Sequence, residues 1–128
     1  MASDITPVPF DKARHMREVL HWSHSWGVPV DPAFLPPTGF IVPGVAAMFI
    51  FLTNAPVAFV DHVISNPESD PKERDRALDL IGICIMAFAR DQGVKGLVGY
   101  TKLPKMAERC ERHGWKLHGA QTIMTRKL

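Results

Sequence analysis

The stretch that decides the fold is Pro56-Val-Ala-Phe-Val-Asp-His-Val-Ile-Ser65, a run of β-branched and aromatic residues typical of a strand. The polar hinge Asn66-Pro-Glu-Ser-Asp-Pro-Lys72 follows it, and an apolar helical pattern then runs to about Gln92 and stops at Gly93. A second strand, Gly96-Leu-Val-Gly-Tyr-Thr101, completes a β-loop-α-β unit. The crossover helix of such a unit begins where the first strand ends, so its free N–H groups face one edge of the sheet. The sequence therefore predicts a place at this edge where an anionic ligand can bind.

The crossover helix carries its own start signals. Asp70 is a good N-cap, Pro71 fits the first helical position, and Glu73 completes a capping-box pattern. The middle of the helix, from Ala77 to Phe88, is almost entirely apolar. A helix of this composition packs across a sheet with most of its surface buried.

The residues before Pro56 predict a strand, a helix and an antiparallel meander. A helix capped by Asp11 runs to about Trp26, and Gly27 ends it. The segment from Val28 to Pro37 is rich in proline and predicts an extended loop. The predicted strands here are Asp4 to Phe10, Gly39 to Val42 and Val45 to Leu52, and short turns join the last two to the strand from Val57.

The residues after Thr101 predict a shorter helix and two further strands. The helix runs from Leu103 to His113 with Gly114 as its C-cap, and alternating strands follow over Trp115 to His118 and Gln121 to Arg126. The pattern as a whole predicts one α/β domain over residues 1–128. Its sheet is mixed and mostly antiparallel, with about six to seven strands and about three to four helices packed on it.

Composition excludes several classes of protein. The chain is 46% apolar and 22% charged, which is typical of a globular domain, and its net charge of +2 is too small to predict a nucleic-acid partner. The longest apolar run, Val45 to Leu52, is shorter than the roughly 20 residues that cross a bilayer, so we expect no membrane partner. Cys84 and Cys110 form no metal or disulfide motif, and no signal-peptide pattern is present, so we expect a cytoplasmic protein. His21-x-x-His24 lacks a third ligand, and we expect no metal.

The segment Met106-Ala-Glu-Arg-Cys-Glu-Arg-His-Gly-Trp115 resembles the closing helix of the GNAT-type acyl-CoA N-acyltransferases, whose pattern is approximately A-x-x-x-Y-E-K-x-G-F. Glu111, Arg112, Gly114 and Trp115 match or nearly match that pattern, and the predicted order of elements agrees along nearly the whole chain. The chain also resembles short GNAT-like proteins encoded by phages and prophages. The resemblance implies acetyl-CoA as the acyl donor and a primary amine, on a small molecule or a protein, as the acceptor.

The resemblance also implies where acetyl-CoA binds. In the family the strand before the hinge leaves its neighbour at a bulge and pairs with the pantetheine arm, and the pyrophosphate rests on a (Q/R)-x-x-G-x-(G/A) loop. That loop maps to Lys72-Glu-Arg-Asp-Arg-Ala77. The donor-binding positions implied here are Val63, Ile64, Ser65, Lys72, Arg74, Asp75, Arg76, Ala77 and Thr101.

Asp75 makes the donor loop a degenerate one, because it stands where the family has its central glycine. A carboxylate about 4 Å from a phosphate charge costs about 4 kcal/mol near a protein surface. Lys72, Arg74 and Arg76 can offset that repulsion. Alternatively, Asp75 points away and is an ordinary acid in the first turns of a helix, matched to the helix dipole.

The resemblance requires a base for the amine and an acid for the leaving thiolate. Asp61 and His62 on the central strand are the candidate bases, and alternation along a strand predicts that only one of them faces the cleft. Cys110 stands where the family often has its acidic tyrosine, and Tyr100 is an alternative acid. Trp22, Trp26 and Phe34, together with the proline-rich loop, form a substrate mouth, a partner-binding patch or a lid on the core.

A rival interpretation is that the chain has the same fold but does not catalyse acyl transfer. Asp75 and Cys110 both depart from the family pattern, and a fold alone does not guarantee a reaction. On this interpretation the chain is an inactive GNAT-fold binding or phage assembly protein, with a second copy or a virion component as its partner. The two interpretations differ in one structural requirement. An acyltransferase needs an opening between the strand that ends at Ser65 and the strand after it.

Overall fold

The structure is a computed structural model that describes residues 5–119 and residue 126. Its described part is organised around a mixed five-stranded sheet. The elements in chain order are β1 (Val8–Pro9), α1 (Lys12–Ser25), a short 3₁₀ helix (Pro32–Phe34), β2 (Gly39–Val42), β3 (Ala46–Leu52), β4 (Val57–Ser65), α2 (Pro71–Asp91), β5 (Gly96–Gly99) and α3 (Pro104–Arg112).

The strands lie in the order β1-β2-β3-β4-β5, so neighbours in the sequence are neighbours in the sheet. The pairs from β1 to β4 are antiparallel, as the meander predicted. Only β5 runs parallel to its neighbour, because α2 carries the chain back across the sheet before β5 begins. The predicted β-loop-α-β unit is therefore confirmed.

The two long helices pack on opposite faces of the sheet. Val19 and Trp22 of α1 are buried against a cluster that includes Ile41 and Phe49 of the sheet. On the other face the buried side of α2 packs on its own cluster of strand residues, and both Ile81 and Ile85 are almost fully buried. The residues of α2 in that cluster are Ala77, Leu78, Ile81, Ile85 and Ala89. Each large aliphatic side chain buried in this way contributes about 1.5–3 kcal/mol.

The helix starts follow the predicted capping chemistry. The Asp11 side chain accepts a hydrogen bond from the N–H of Ala13 at 2.9 Å, and Asp70 accepts one from the N–H of Glu73 at 3.1 Å. Both helices end just before a glycine with positive φ, Gly27 at 73° and Gly93 at 78°. These caps place the start of α2 at the end of β4, as the sequence predicted.

The sheet has fewer strands than predicted, five among the described residues instead of six to seven. The predicted strand over Trp115 to His118 is irregular chain. The N–H of Trp115 closes the end of α3 by donating to the carbonyl of Cys110 at 3.0 Å, and the indole packs against the α2 cluster. The predicted strand over residues 121–126 lies outside the described residues except for residue 126.

The remaining differences between the predicted and the observed elements are small. The first strand covers Val8–Pro9 only, because Pro7 and Pro9 have no N–H to give to a neighbour. The described part contains three α-helices, where three to four helices were predicted. None of these described helices has the length and apolar character needed to cross a membrane.

Candidate active site

An opening lies beside the second half of β4. The parallel pairing with β5 runs from Val57 opposite Gly96 to Val60 opposite Gly99 and stops there. β4 continues to Ser65, whereas the chain after Gly99 turns away through Tyr100 toward α3. One edge of residues 61–65 therefore has no strand beside it within the described part of the chain. The structure meets the requirement that separates the two interpretations of the sequence.

A β-bulge marks the point where β4 leaves β5. Ala47 lies opposite Ile64 and Phe49 opposite Asp61, so Met48 alone faces the two residues between them on β4. His62, in the bulge, has a φ of 54°, which non-glycine residues rarely adopt and which costs about 1–3 kcal/mol. The Asp61 side chain holds this conformation, because its Oδ1 accepts a hydrogen bond from the N–H of His62 at 2.7 Å.

The bulge overturns the prediction that only one of Asp61 and His62 faces the cleft. Strict alternation would send consecutive side chains to opposite faces, but the extra residue and the positive φ at His62 break it. Both side chains line one cavity, and the imidazole lies 5.8 Å from the ring of Phe51, centroid to centroid. The two candidate bases therefore face the same space.

The cavity is open to solvent, has a volume of about 690 Å³ and lies between β4 and the proline-rich loop. Tyr100, half exposed, stands at its rim, so three of the four predicted catalytic residues meet here. Phe34 also lines it, whereas Trp22 is buried in the α1 core. The lining residues are Val28, Pro29, Val30, Asp31, Phe34, Phe51, Phe59, Val60, Asp61, His62 and Tyr100.

Cys110, the fourth predicted catalytic residue, is not among the residues that line the cavity. It lies half-buried on α3. Burial raises the pKa of the Cys110 thiol, and the charge of Arg109 offsets only part of that rise. The thiol is therefore held neutral and away from the cavity, which leaves Tyr100 as the candidate acid.

The N-terminus of α2 is capped by a side chain of the protein itself, Asp70. The segment from Lys72 to Ala77, which the resemblance maps to a phosphate loop, forms the first turns of the helix. Pro71 has no N–H, and the N–H of Glu73 already donates to the Asp70 carboxylate. That carboxylate stands where an anion would approach the helix dipole. Lys72 and Arg76 are exposed on this first part of the helix.

Asp75 faces α3 and not a ligand. The buried guanidinium of Arg109 donates from Nη2 to Asp75 Oδ1 at 2.8 Å and from Nη1 to the Asp75 carbonyl at 2.8 Å. Nη1 also donates to Asp79 Oδ1 at 2.7 Å, and His113 Nε2 lies 3.2 Å from the same oxygen. The Asp75 carboxylate is thus an ion-pair partner within the fold. Sequence reasoning missed Arg109. The available signal was Asp79, a lone charge in the apolar stretch from Ala77 to Ala89, one turn after Asp75.

The charges of this group shift the ionisation of Asp79. Burial by itself would raise the pKa of the Asp79 carboxyl. The hydrogen bonds and positive charges of Arg109 and His113 outweigh burial and lower the pKa below its ordinary value. Asp79 is therefore an ionised anchor that ties α2 to α3.

Trp26 occupies the free edge of β4. The N–H of Asn66 donates to the carbonyl of Val45 at 2.8 Å, so the carbonyl of Ser65 in the same peptide points to the opposite side, into the opening. There it accepts a hydrogen bond from Trp26 Nε1 at 2.7 Å. The guanidinium of Arg74 lies over the indole, 5.8 Å from the ring centroid.

Two further predicted donor-binding residues, Arg74 and Thr101, have hydrogen-bond partners close in the sequence. Arg74 donates from Nη2 to the carbonyl of Ser69 at 3.0 Å, which ties it to the hinge. Thr101 Oγ1 accepts from the N–H of Leu103 at 3.1 Å at the start of α3. Val63 is exposed in the opening, and Ile64 is buried in the α1 core. No group of three or more metal-binding side chains occurs among the described residues.

The fold is shared with solved acetyltransferases. The chain matches a Trypanosoma brucei acetyltransferase with a TM-score of 0.62 and 13% identity, over 94% of this chain and 98% of that one. A protein described as a probable acetyltransferase matches with a TM-score of 0.58 and 10% identity, over 96% of each chain. A Pyrococcus furiosus protein, described provisionally as an acetyl transferase, matches with a TM-score of 0.55 and 12% identity, over 95% of this chain and 99% of that one. The chain therefore shares the fold of these solved acetyltransferases. No protein-family model and no curated protein matches the sequence.

Proposed function

We propose that the protein is an acyl-CoA-dependent N-acyltransferase that transfers an acetyl group to a primary amine by direct attack. One observation carries the proposal. β4 leaves β5 at a bulge, and a cavity with a base and an acid opens where the two strands part. A simple sheet has no need of a strained residue at this point, and such strain is common at functional sites.

The free edge of β4 fits an extended thioester arm. Residues 61–65 have backbone groups on the side where β5 has ended, and an amide-bearing arm can pair with them as an added strand would. An acyl group held this way reaches the bulge, beside His62 and Tyr100. Binding along a rigid strand edge fixes the acyl carbon relative to both side chains, which contributes to rate through orientation.

His62 is assigned as the base and Asp61 as the residue that positions it. Asp61 Oδ1 is already bonded to the backbone of His62 and holds the bulge, whereas the imidazole is turned to the cavity. The amine nitrogen forms a bond to the thioester carbon as the carbon–sulfur bond breaks. The proton lost by the amine passes to His62, and the departing thiolate takes a proton from Tyr100.

The phosphate end of the donor fits less well than the arm. Lys72 and Arg76 are exposed cations near the start of α2, but the Asp70 carboxylate opposes them. Trp26 holds one carbonyl of the free edge. We therefore expect a donor that binds weakly and mainly through its pantetheine arm.

The same observations favour a second candidate function. A self-capped helix and an indole on the free edge are what a GNAT fold without a donor would keep, and such a protein would bind or assemble with a partner. This candidate keeps the phage or prophage role, with a virion component or a second copy of the chain as partner.

A thermal-shift titration with acetyl-CoA, combined with detection of released thiol, tests the proposal. Donor at about 100 times its Kd adds about 2.7 kcal/mol of stability. Stabilisation together with amine-dependent thiol release supports the acyltransferase. If millimolar acetyl-CoA leaves the melting temperature unchanged, the binding or assembly role replaces it.

A further inference from the structure

The rim of the cavity exposes large apolar side chains. Val28 is 67% exposed, Phe34 is 70% exposed and Phe59 is 37% exposed, and all three line the same cavity. Single exposed apolar residues are ordinary on a protein surface, but several grouped around one concave site point to a ligand with an apolar surface.

The described residues that line the cavity carry negative charge and no fixed positive charge. Asp31 and Asp61 are among its lining residues, and no lysine or arginine is. Each carboxylate uses Oδ1 for the fold, Asp31 toward the N–H of Ala33 at 2.9 Å and Asp61 toward the N–H of His62 at 2.7 Å. The Oδ2 of each has no hydrogen-bond partner within the described residues. Such an oxygen attracts a nearby cation and repels an anion, and solvent screens both interactions in part because the two carboxylates are exposed.

We propose that the acceptor is a small primary monoamine on an apolar body, aromatic or branched aliphatic. Its ammonium lies beside Asp61, within reach of His62, and its body lies between Phe34 and Phe59. This inference rests on the proposed function and narrows the amine it takes. The volume of about 690 Å³ is the size of a small-molecule site, and a bare polyamine would leave the apolar rim wet.

Binding measured without donor tests the inference apart from catalysis. The probes are 2-phenylethylamine, its neutral isostere 2-phenylethanol and the polar amine spermidine, each titrated into the full chain by NMR. We expect 2-phenylethylamine to bind at least about ten-fold more tightly than either comparison ligand, because only it satisfies both the carboxylate and the apolar rim. Equal or tighter binding of spermidine overturns the inference, and so does the absence of any binding by 2-phenylethylamine at millimolar concentration.

Matched variants locate the binding. Phe34→Ala removes an exposed ring and should weaken 2-phenylethylamine about five- to ten-fold. Asp61→Asn keeps an acceptor for the N–H of His62 while removing the charge beside the ammonium, and should weaken the amine but not 2-phenylethanol. The control is Ile83→Ala, an exposed apolar residue of α2 on the opposite face of the sheet, which should change neither affinity. Equal losses in Phe34→Ala and Ile83→Ala would contradict the placement.

Failure of the inference and failure of the acyltransferase proposal give different results. If 2-phenylethylamine binds as described and no thiol is released with acetyl-CoA, the site stands and the transfer chemistry does not. If thiol is released with spermidine or a lysine peptide but not with the apolar amine, the transferase stands and the acceptor class is wrong.

Discussion

The opening beside β4 has two ends, and they are built in opposite ways. At the bulge, Asp61, His62 and Tyr100 turn toward one cavity, and the strain at His62 is maintained by a hydrogen bond. At the start of α2, the N–H of Glu73 and the Asp75 carboxylate are bonded within the protein, and the nearby cations Lys72 and Arg76 are exposed. The two ends therefore use their polar groups differently, one toward the cavity and the other mainly within the fold.

Electrostatics explains why the α2 end can close without loss of the fold. A helix N-terminus stabilises a nearby negative charge by about 0.3–1 kcal/mol, and the Asp70 carboxylate takes that stabilisation for folding. Asp75 likewise stabilises the chain by pairing with Arg109 across to α3. Both carboxylates are useful to the fold whether or not a donor ever binds there.

The largest effect should appear at the bulge. In an acyltransferase, His62→Gln should lower kcat/KM by about 100-fold or more, because glutamine cannot take the amine proton. Asp61→Asn can still accept from the N–H of residue 62, so it should lose less, and mainly through KM for the amine. Steady-state kinetics with acetyl-CoA measure both.

The control for this pair is His24→Gln, which changes an exposed histidine of α1 outside the cavity. Its kcat/KM should match that of the unmodified protein. A His62→Gln variant that keeps kcat/KM within about three-fold would remove His62 as the base.

A smaller but still large effect is expected where α2 meets α3. Arg109→Ala should lower the free energy of unfolding by about 2–3 kcal/mol, because it leaves Asp75 and Asp79 without their charged donor. Denaturant unfolding followed by circular dichroism gives the value. Arg112→Ala, an exposed arginine on the same helix, should change it by less than about 0.5 kcal/mol. Similar losses in the two variants would mean that the ion pairs contribute little.

Local sequence patterns predicted most of the helices and strands, whereas the candidate site depends on long-range contacts that such patterns do not contain. Capping residues and apolar periodicity placed α1, α2 and β2 to β4 close to their observed bounds, because these signals act within one element. The resemblance implied a bulge on β4, but alternation could not place it at His62 or predict that Asp61 and His62 share a cavity, because an alternation rule assumes that no residue is inserted. Arg109 escaped prediction, since its partners lie on another helix. The alternation at Trp115 to His118 indicated a strand, but Trp115 completes the end of α3 and packs on the core.

The hydrogen bond from the Trp26 indole to the Ser65 carbonyl would compete with an acyl-CoA arm for the free edge of β4. Trp26→Phe removes the donor to the Ser65 carbonyl and keeps an aromatic ring near Arg74. If an acyl-CoA arm pairs with that edge, the variant should bind acetyl-CoA about three- to ten-fold more tightly, the effect of one hydrogen bond of about 0.5–1.5 kcal/mol. Isothermal titration calorimetry measures it. Unchanged or weaker binding would show that the donor does not use this carbonyl.

The smallest effect concerns pH and the anchor between α2 and α3. Because the folded-state pKa of Asp79 is lowered, its contribution to stability is present above the unfolded-state pKa, and it is lost as the pH falls through the folded-state pKa. Compared with Asp79→Asn, the unmodified protein should be more stable at pH 6, by under about 1 kcal/mol since the carboxylate is partly exposed. This difference should shrink as the pH falls below the ordinary aspartate pKa of about 4, because the unfolded chain then takes up the proton more readily than the folded protein does. A stability difference for Asp79→Asn that stays constant from pH 6 to pH 3 would mean that its charge does not hold α3 to α2.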